Sequence, residues 1–252
     1  MQSKQLLLAG LFYLSFLTAA QAQTSLQDSS KSKMIRDIVK INVSALTVKN
    51  VSVQYEHILS KKFSVALGGR MMPSTAIPYD DMVNDILGYD GQDTRNIVNI
   101  SRLSNIAITP EARYYLGKGY GQGFYVAPYY RFMLFSSNTI IVNYTNKSVT
   151  MNGDLTAHTG GVMVGAQWFL NKNISFDWWI AGAHFGFSKG KFTGVPTNPL
   201  NPEEQADLKS RLSGISIPLV HKEVTVTSND ILATFNGGFG GARAGVSLGI
   251  RW

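Results

Sequence analysis

Nine charged residues alternate with apolar residues along their segments, and they are the side chains in this chain best placed to do chemistry. Alternation places such residues together on one face of a β-strand. If those faces line a narrow interior, the charges must pair, because burying an isolated charge is costly. We therefore expect an interior network of ion pairs formed by Lys40, Glu56, Arg70, Glu111, Arg113, Arg131, Asp177, Arg243 and Arg251.

The balance of these charges leaves two interpretations open. Six of the nine are cations and three are acids. A network that fills the interior is the structural interpretation. The excess of cations also allows a functional one, in which the interior is a polar conduit or holds an anionic group.

Catalysis has weak support in the sequence. A hydrolase or acyltransferase needs Ser, His and an acid within hydrogen-bond reach. His158 and His184 are expected near an outer rim rich in Ser, yet no G-x-S-x-G motif accompanies them or the other histidines, His57 and His221. The chain has no Cys, which excludes thiolate metal sites, and the acidic run 80–85 lacks EF-hand spacing. We expect a non-enzymatic protein with no catalytic residue, no metal and no cofactor.

The elements that carry these charges are predicted to be strands. In the last segment Ala242, Ala244, Val246, Leu248, Ile250 and Trp252 share one face, opposite Arg243, Gly245, Ser247, Gly249 and Arg251. Seven upstream segments alternate in the same way, at residues 39–45, 51–56, 63–70, 106–114, 124–134, 161–168 and 174–181. The sequence therefore predicts eight strands.

Side-chain size indicates which face points outward. A soluble barrel would turn its apolar faces inward, and alternation alone does not exclude that arrangement. However, the charge-free faces are bulky, whereas the polar faces hold many Gly, Ala and Ser residues. Eight strands enclose only enough room for side chains, so the small residues belong inside. We predict an all-β fold, an eight-stranded antiparallel up-and-down transmembrane β-barrel.

Short and long connections alternate along the chain. The short ones are 60–62, 117–122 and 171–173, and the long ones are about 72–103, 137–155 and 188–240. Outer-membrane barrels combine short periplasmic turns with long extracellular loops, which places both termini in the periplasm. Asn201-Pro202-Glu203-Glu204 predicts one short loop helix, running to about Leu212 and stopped by Gly214.

Two further pieces of the last loop have an extended pattern, at 215–219 and 223–227. They are either parts of the excursion or a ninth and a tenth strand. We favour eight strands, because Pro218 and the polar run 221–223 suit lipid poorly.

Aromatic residues flank the short turns, as in the girdle that such barrels place at a membrane interface. Tyr115 and Tyr125 are among the aromatic residues beside the turns, so they too are predicted to lie on the outer surface. The alternative is that these aromatic residues form the core of a soluble fold. The predicted girdle consists of Tyr114, Phe124, Trp168, Phe176, Trp178 and Trp252.

The N-terminal residues predict export. Lys4, the apolar run 6–17 and Ala20-Gln21-Ala22 have the form of a signal peptide over residues 1–22, and the run is short for a membrane anchor. A flexible periplasmic leader at 23–35 and the barrel at 36–252 follow. The net charge of +7 becomes +6 without Lys4. The positive residues are scattered along an exported chain, which argues against nucleic acid as a partner. The expected partners are outer-membrane lipid and lipopolysaccharide.

The strand that ends at Trp252 predicts one more partner. An alternating strand with a terminal aromatic is similar to the signal that barrel-insertion machinery recognises, and its free edge can pair with another strand. The alternative, weighed equally, is that Trp252 only anchors the finished barrel at the interface.

Several segments resemble a known family. They are 39–42 (VKIN), 110–116 (PEARYYL), 123–129 (GFYVAPY) and 241–252 (GARAGVSLGIRW). They are similar to the DUF3575-type outer-membrane β-barrels of Bacteroidetes, which have no known function, and more generally to small OmpA/OmpX-like barrels. The resemblance implies a fold and an outer-membrane location, but no activity. Three hypotheses remain: a structural or surface-interaction protein, a narrow passive channel or transporter for small solutes, and a membrane-embedded enzyme.

Overall fold

Nine antiparallel strands make up most of the described part of the chain. The computed structural model describes residues 35–76, 102–144, 147–214 and 219–252. Its strands are β1 (Asp37–Asn42), β2 (Val51–Ile58), β3 (Phe63–Ala76), β4 (Arg102–Tyr115), β5 (Gly123–Tyr144), β6 (Lys147–Phe169), β7 (Ile174–Pro196), β8 (Val220–Val226) and β9 (Ile231–Arg251). The predicted signal peptide, nearly all of the leader and the acidic run 80–85 lie outside the described residues.

Eight of these strands close into a ring. The order is β1-β2-β3-β4-β5-β6-β7-β9, and β1 pairs with β9 to complete it. Each ring strand is antiparallel to both neighbours. The predicted eight-stranded antiparallel barrel is therefore confirmed.

The ring closes with a fixed stagger. From Ile41, ladder partners lead in turn to Val53, Gly69, Ile108, Phe132, His158, Phe187 and Gly238, whereas the direct partner of Ile41 on β9 is Leu248. The offset is ten residues (248 minus 238). Closing a ring with such a stagger requires strands tilted by about 35–45° from the barrel axis.

Burial follows the alternation of the sequence. Along β4 the pattern reaches strict alternation, with Ile106 and Ile108 half exposed on the outside and Ala107 and Thr109 buried inside. The outward apolar side chains form a continuous band around the ring, including Val53, Val65, Leu67, Val162, Val164, Leu248 and Ile250.

The first predicted strand is shorter than the alternation suggested. It ends at Asn42, and residues Val43–Leu46 form a single helical turn, α1. The Asn42 side chain accepts a hydrogen bond from the Ala45 backbone N–H at 2.9 Å, which caps the turn. Ser44 also donates to the Asn42 side chain at 2.7 Å. A local side-chain cap therefore outcompetes continued pairing.

The three short turns and both ends of the ring lie at one end of the barrel. Trp252 and Asp37 are joined by backbone hydrogen bonds, and the Arg251 N–H donates to the Asn173 carbonyl at 2.9 Å. The Tyr120 N–H in the second turn donates to the Lys61 carbonyl in the first at 2.7 Å. We refer to this end as the turn end.

The predicted long connections at 137–155 and 188–240 need correction. β5 continues to Tyr144 and β6 begins at Lys147, so nearly all of 137–155 is strand. β7 and β9 likewise extend far beyond the expected limits, and they pair as far as Gly194 with Ile231. At the end opposite the turn end, the sheet therefore continues as paired strands where loops were predicted. We call this part, formed by the ends of β5 and β7 and the starts of β6 and β9, the extension. At the predicted connection 72–103, β3 reaches Ala76 and β4 starts at Arg102, and residues 77–101 lie outside the described residues.

A small apolar core lies on this extension. The helix α2 (Pro202–Gly214) starts and ends where the sequence predicts it. It packs on the strands through a cluster of buried residues: Val149, Met151, Leu200, Leu208, Leu212, Ile231 and Ala233. The extension beyond the ring is thus a packed substructure. No helix among the described residues is long and apolar enough to cross a membrane.

A capping box fixes the start of α2. The Asn201 side chain accepts from the Glu204 backbone N–H at 2.9 Å, and Glu204 accepts from the Asn201 N–H at 2.8 Å. Lys147 on β6 also donates to Glu204 at 2.8 Å. The bond from the Lys147 ammonium, followed by that from Asn201, lowers the pKa of the Glu204 carboxyl.

The ninth strand lies outside the ring. β8 pairs with the first part of β9, from Val226 with Ile231 to Val220 with Gly237. It overlaps the second of the two extended pieces, 223–227, whereas nearly all of the first, 215–219, lies outside the described residues. Because β8 does not pair with β1, it adds a hairpin to the extension and leaves the ring at eight strands.

Candidate functional site

A charged cluster fills the lumen towards the turn end, with Arg113 at its centre. The Arg113 guanidinium donates to Asp177 at 2.8 Å and to Glu56 at 3.1 Å through Nη1, and to Glu111 at 2.6 Å through Nε. Arg113 is completely buried, and so are Glu56 and Asp177. We call Lys40, Glu56, Glu111, Arg113, Gln167 and Asp177 the lumen network.

Lys40 ties the network to the first strand. Its ammonium donates to Asp177 at 2.7 Å and also contacts Glu56 and the Gln167 carbonyl oxygen. These contacts join residues 16 and 137 positions apart in sequence. They join β1 to β2, β6 and β7, so the network links non-adjacent strands through the interior of the barrel.

Two tyrosines complete the network, and both point inward although they are predicted on the outer surface. Tyr115 and Tyr125 were assigned to the outer girdle, but both are fully buried in the lumen. The Tyr115 hydroxyl donates to Glu56 at 2.6 Å and the Tyr125 hydroxyl to Asp177 at 2.8 Å. Because neighbouring strand residues point to opposite faces, the outward position of Tyr114 already requires Tyr115 to point inward.

Glu111 links the network to a third cation. It accepts from Arg113 on one oxygen and from Arg243 at 3.3 Å on the other. The Arg243 guanidinium lies over the rings of Tyr129 at 4.5 Å and Trp179 at 4.7 Å. These aromatic faces stabilise a buried cation that has a single carboxylate neighbour.

The remaining predicted cations lie apart from the network. Arg70 donates to the Asn105 side chain, and Arg131 is 6% exposed on the lumen side of β5. Arg251 lies towards the turn end, with its guanidinium over the Phe169 ring. The structure thus brings Lys40, Glu56, Glu111, Arg113, Asp177 and Arg243 into contact, and leaves Arg70, Arg131 and Arg251 outside those ion pairs.

The family of the chain follows from comparison with known sequences. A family model described as "Protein of unknown function (DUF3575)" matches residues 11–208. The chain belongs to this family. A comparison with curated proteins finds no match.

Solved structures similar to this DUF3575 protein include a β-barrel domain and a major outer membrane protein. The N-terminal β-barrel domain of Pseudomonas aeruginosa OprF aligns at 10% identity and a TM-score of 0.30, over 83% of this chain and 98% of that one. Acinetobacter baumannii CarO2 aligns at 10% identity and a TM-score of 0.36, over 81% and 98%. A major outer membrane protein from Thermus thermophilus aligns at 13% identity and a TM-score of 0.35, over 83% and 100%.

The predicted girdle residues of the DUF3575 protein lie on the outer surface near the turn end. Tyr114, Phe124 and Trp252 are exposed, whereas Trp168, Phe176 and Trp178 are half-buried among outer neighbours. Two pairs of rings are in contact, Phe63 with Tyr114 at 5.1 Å and Trp168 with Phe176 at 5.9 Å.

The four histidines of this protein do not converge on one site. His57 contacts Asp37 at the turn end, and His221 is exposed on β8. His158 points outward and contacts the Tyr130 hydroxyl at 2.5 Å, whereas His184 is buried and points into the lumen. His158 and His184 therefore stand on opposite faces of the sheet and cannot act together on one substrate.

Proposed function

We propose that this protein is a closed, non-enzymatic barrel of the bacterial outer membrane, which acts as a rigid base for a structured extension outside the cell. Its role is structural or one of surface interaction. The observation that carries the proposal is the lumen network, whose charged groups are buried and paired with one another in the part of the lumen towards the turn end.

The outer surface of the ring supports a lipid environment. A soluble monomer rarely exposes a continuous apolar surface of this extent. Along β7, eleven residue steps separate Phe176 near the turn end from the exposed Phe187. At about 3.3 Å per residue and a tilt of about 40°, these steps rise about 28 Å. This height fits a hydrocarbon layer bounded by aromatic rings.

The packed structure of the extension supports the proposal that it interacts with partners outside the cell. Its strands continue the sheet beyond the band, and α2 packs on them around Leu208 and Leu212. Packed apolar contacts make this part a defined surface, and a pre-organised surface loses less conformational entropy on binding than a flexible loop. We propose that the turn end, with both ends of the ring, faces the periplasm.

Labelling of introduced cysteines tests this orientation. The natural chain has no Cys, so each variant carries a single thiol. Ser210→Cys on α2 is expected to react with a membrane-impermeant maleimide on intact cells, because Ser210 is exposed on the proposed outer side. Labelling is read on the protein band by gel fluorescence.

Lys172→Cys in the third short turn is the matched control. Lys172 is equally exposed but lies at the turn end, so labelling should require permeabilised outer membranes. Labelling of Lys172→Cys on intact cells, with Ser210→Cys protected, would reverse the proposed orientation. Labelling of neither variant in permeabilised cells would argue against the outer membrane.

Planar-bilayer recording tests the closed lumen. The purified protein, inserted into a lipid bilayer in concentrated KCl, is expected to show no stable unitary conductance. Hydrated ions cannot pass a cross-section filled by paired, fully buried side chains. Insertion is verified separately by protection of the barrel from protease. Uniform conductance steps would contradict the proposal and favour a narrow channel.

A further inference from the structure

The described lumen contains more positive charge than its acids can balance. Lys40, Arg113 and Arg243 are matched by Glu56, Glu111 and Asp177, three cations against three carboxylates. Arg70, Arg131 and Arg251 remain without a carboxylate partner among the described residues, and Arg251 lies apart from the other two, over the Phe169 ring towards the turn end. The charges of Arg70 and Arg131 together would suit a doubly charged anion.

These two arginines lie close to Arg243 and to each other. All three arginines line one cavity, and Arg131 and His184 both experience the positive charges of the neighbouring arginines. We call Arg70, Arg131 and Arg243 the arginine cluster. Arg243 is paired with Glu111, but Arg131 is buried and Arg70 is partly buried without a carboxylate partner among the described residues. Their mutual repulsion is unfavourable unless a further negative charge joins them.

Unused hydrogen-bond donors accompany the cluster. Within the described part of the chain, the Nε atoms of Arg70 and Arg131 are buried and have no hydrogen-bond partner. The buried Nδ1 of His184 and hydroxyl of Tyr129 also lack one. Buried polar groups are normally satisfied, and clustered exceptions point to an absent ligand.

A cavity lies against the cluster. Its volume is about 410 Å³, and its lining includes Arg70, Arg131, Arg243 and Trp179 together with polar groups of Asn50 and Ser52. A guanidinium group binds phosphate oxygens through paired N–H donors, and several such groups around one cavity favour a phosphate.

The cavity opens where the barrel wall is lowest. β1 ends at Asn42 and β2 begins at Val51, whereas β3 continues to Ala76 and β9 starts at Ile231. Among the described residues, β9 has no ladder partner on this side between Gly237 and Ser247. The short α1 connection forms this low rim, and its Asn42, Ser44 and Ala45 line the cavity.

We propose that the arginine cluster binds a phosphate group that enters over the α1 rim. The source is either a free phosphate compound or the headgroup of an anionic lipid, since both present the same oxygens. The site lies on the rim side of the lumen network, so a ligand reaches it without passing the network. It is therefore independent of whether the barrel conducts ions.

Calorimetric titration in phosphate-free maltoside detergent tests the site. One arm adds inorganic phosphate to the folded protein, and the other adds phosphatidic acid in mixed micelles, with diacylglycerol as the uncharged control. We expect saturable binding of phosphate, of phosphatidic acid or of both, and none of diacylglycerol. Binding of phosphatidic acid alone identifies a lipid headgroup, and binding of both shows that the phosphate group suffices.

Three variants assign the binding to the cluster. Arg131→Met should weaken it roughly tenfold or more, since a charge-assisted hydrogen bond is lost. Arg131→Lys should retain part of the affinity. Arg251→Met is the matched control, because Arg251 is a lumen arginine that does not line the cavity.

Folding of each variant is checked by its heat-dependent gel mobility. Equal affinity of Arg131→Met and Arg251→Met would overturn the proposal. So would the absence of binding of both phosphate and phosphatidic acid to the folded natural protein.

Discussion

Replacing Arg113 by methionine is expected to lower the free energy of unfolding of the barrel by about 3–5 kcal/mol, the usual cost of leaving buried charges without their partner. Arg113 contacts Glu56, Glu111 and Asp177 at 2.6 to 3.1 Å. Methionine fills a similar volume but supplies no charge and no donor. Reversible urea unfolding in lipid vesicles, followed by tryptophan fluorescence, measures the loss.

Arg131→Met is the control for this prediction. Arg131 is also a buried lumen arginine, but it has no carboxylate partner among the described residues. Its replacement relieves repulsion from Arg70 and Arg243, so stability should stay the same or rise. If both variants lost the same free energy, the cost would come from lost packing, and the ion pairs would not explain the effect.

A second substitution tests whether unbalanced charge causes the loss of stability in Arg113→Met. In Arg113→Met, Lys40 and Arg243 face three carboxylates. Adding Glu111→Gln restores two charges of each sign, so the double variant should recover part of the lost stability. A larger loss in the double variant would show that Glu111 acts mainly as a hydrogen-bond acceptor for its neighbours.

The faces of the strands could be predicted from sequence, because a strand has only two faces. Strict alternation around Ile106 and Ile108 fixes which residues point inward, and the structure follows it. The start of α2 was also predictable, since the capping box at Asn201 and Glu204 depends on four consecutive residues. Local rules therefore suffice for the elements.

The partners of the lumen charges could not be predicted. Lys40 meets Asp177 across 137 residues, and that contact depends on the stagger with which the ring closes. The stagger is a property of all eight ladders together. A different offset would oppose Lys40 with another residue of β7 while leaving every face unchanged.

The limits of the strands were wrong for a physical reason. The alternation predicted shorter strands, but pairing between β6, β7 and β9 continues because α2 packs against apolar residues of these strands, among them Val149, Phe192 and Ile231. Conversely, β1 ended early because the Asn42 cap favours a helical turn. Tertiary packing and local capping thus decide what alternation leaves open.

The position of the Tyr125 ring requires a residue without a side chain at position 165, where the chain has Gly165. The Tyr125 ring lies beside Arg113, with the guanidinium 4.4 Å from the ring centre, and its hydroxyl donates to Asp177 at 2.8 Å. A Cβ atom at position 165 would overlap the Tyr125 ring and lie 2.8 Å from the Trp178 carbonyl oxygen. Glycine at this position therefore makes room for part of the lumen network.

Gly165→Ala is accordingly expected to destabilise the barrel by about 1–3 kcal/mol, the usual cost of adding atoms to a packed interior. Tyr125 must move, and its contacts with Arg113 and Asp177 weaken. Gly160→Ala on the same strand is the matched control, because no atom lies within 4 Å of the added Cβ. It should leave the free energy of unfolding, measured in urea, unchanged or slightly higher.

A double-mutant cycle identifies the cause of the loss. In a Tyr125→Ala background the ring that obstructs position 165 is absent, so the additional cost of Gly165→Ala should fall to a small fraction of its value in the natural protein. An undiminished cost would mean that the clash with the Trp178 carbonyl dominates. In that case Gly165 would serve the pairing of β6 with β7, and the position of Tyr125 would not depend on it.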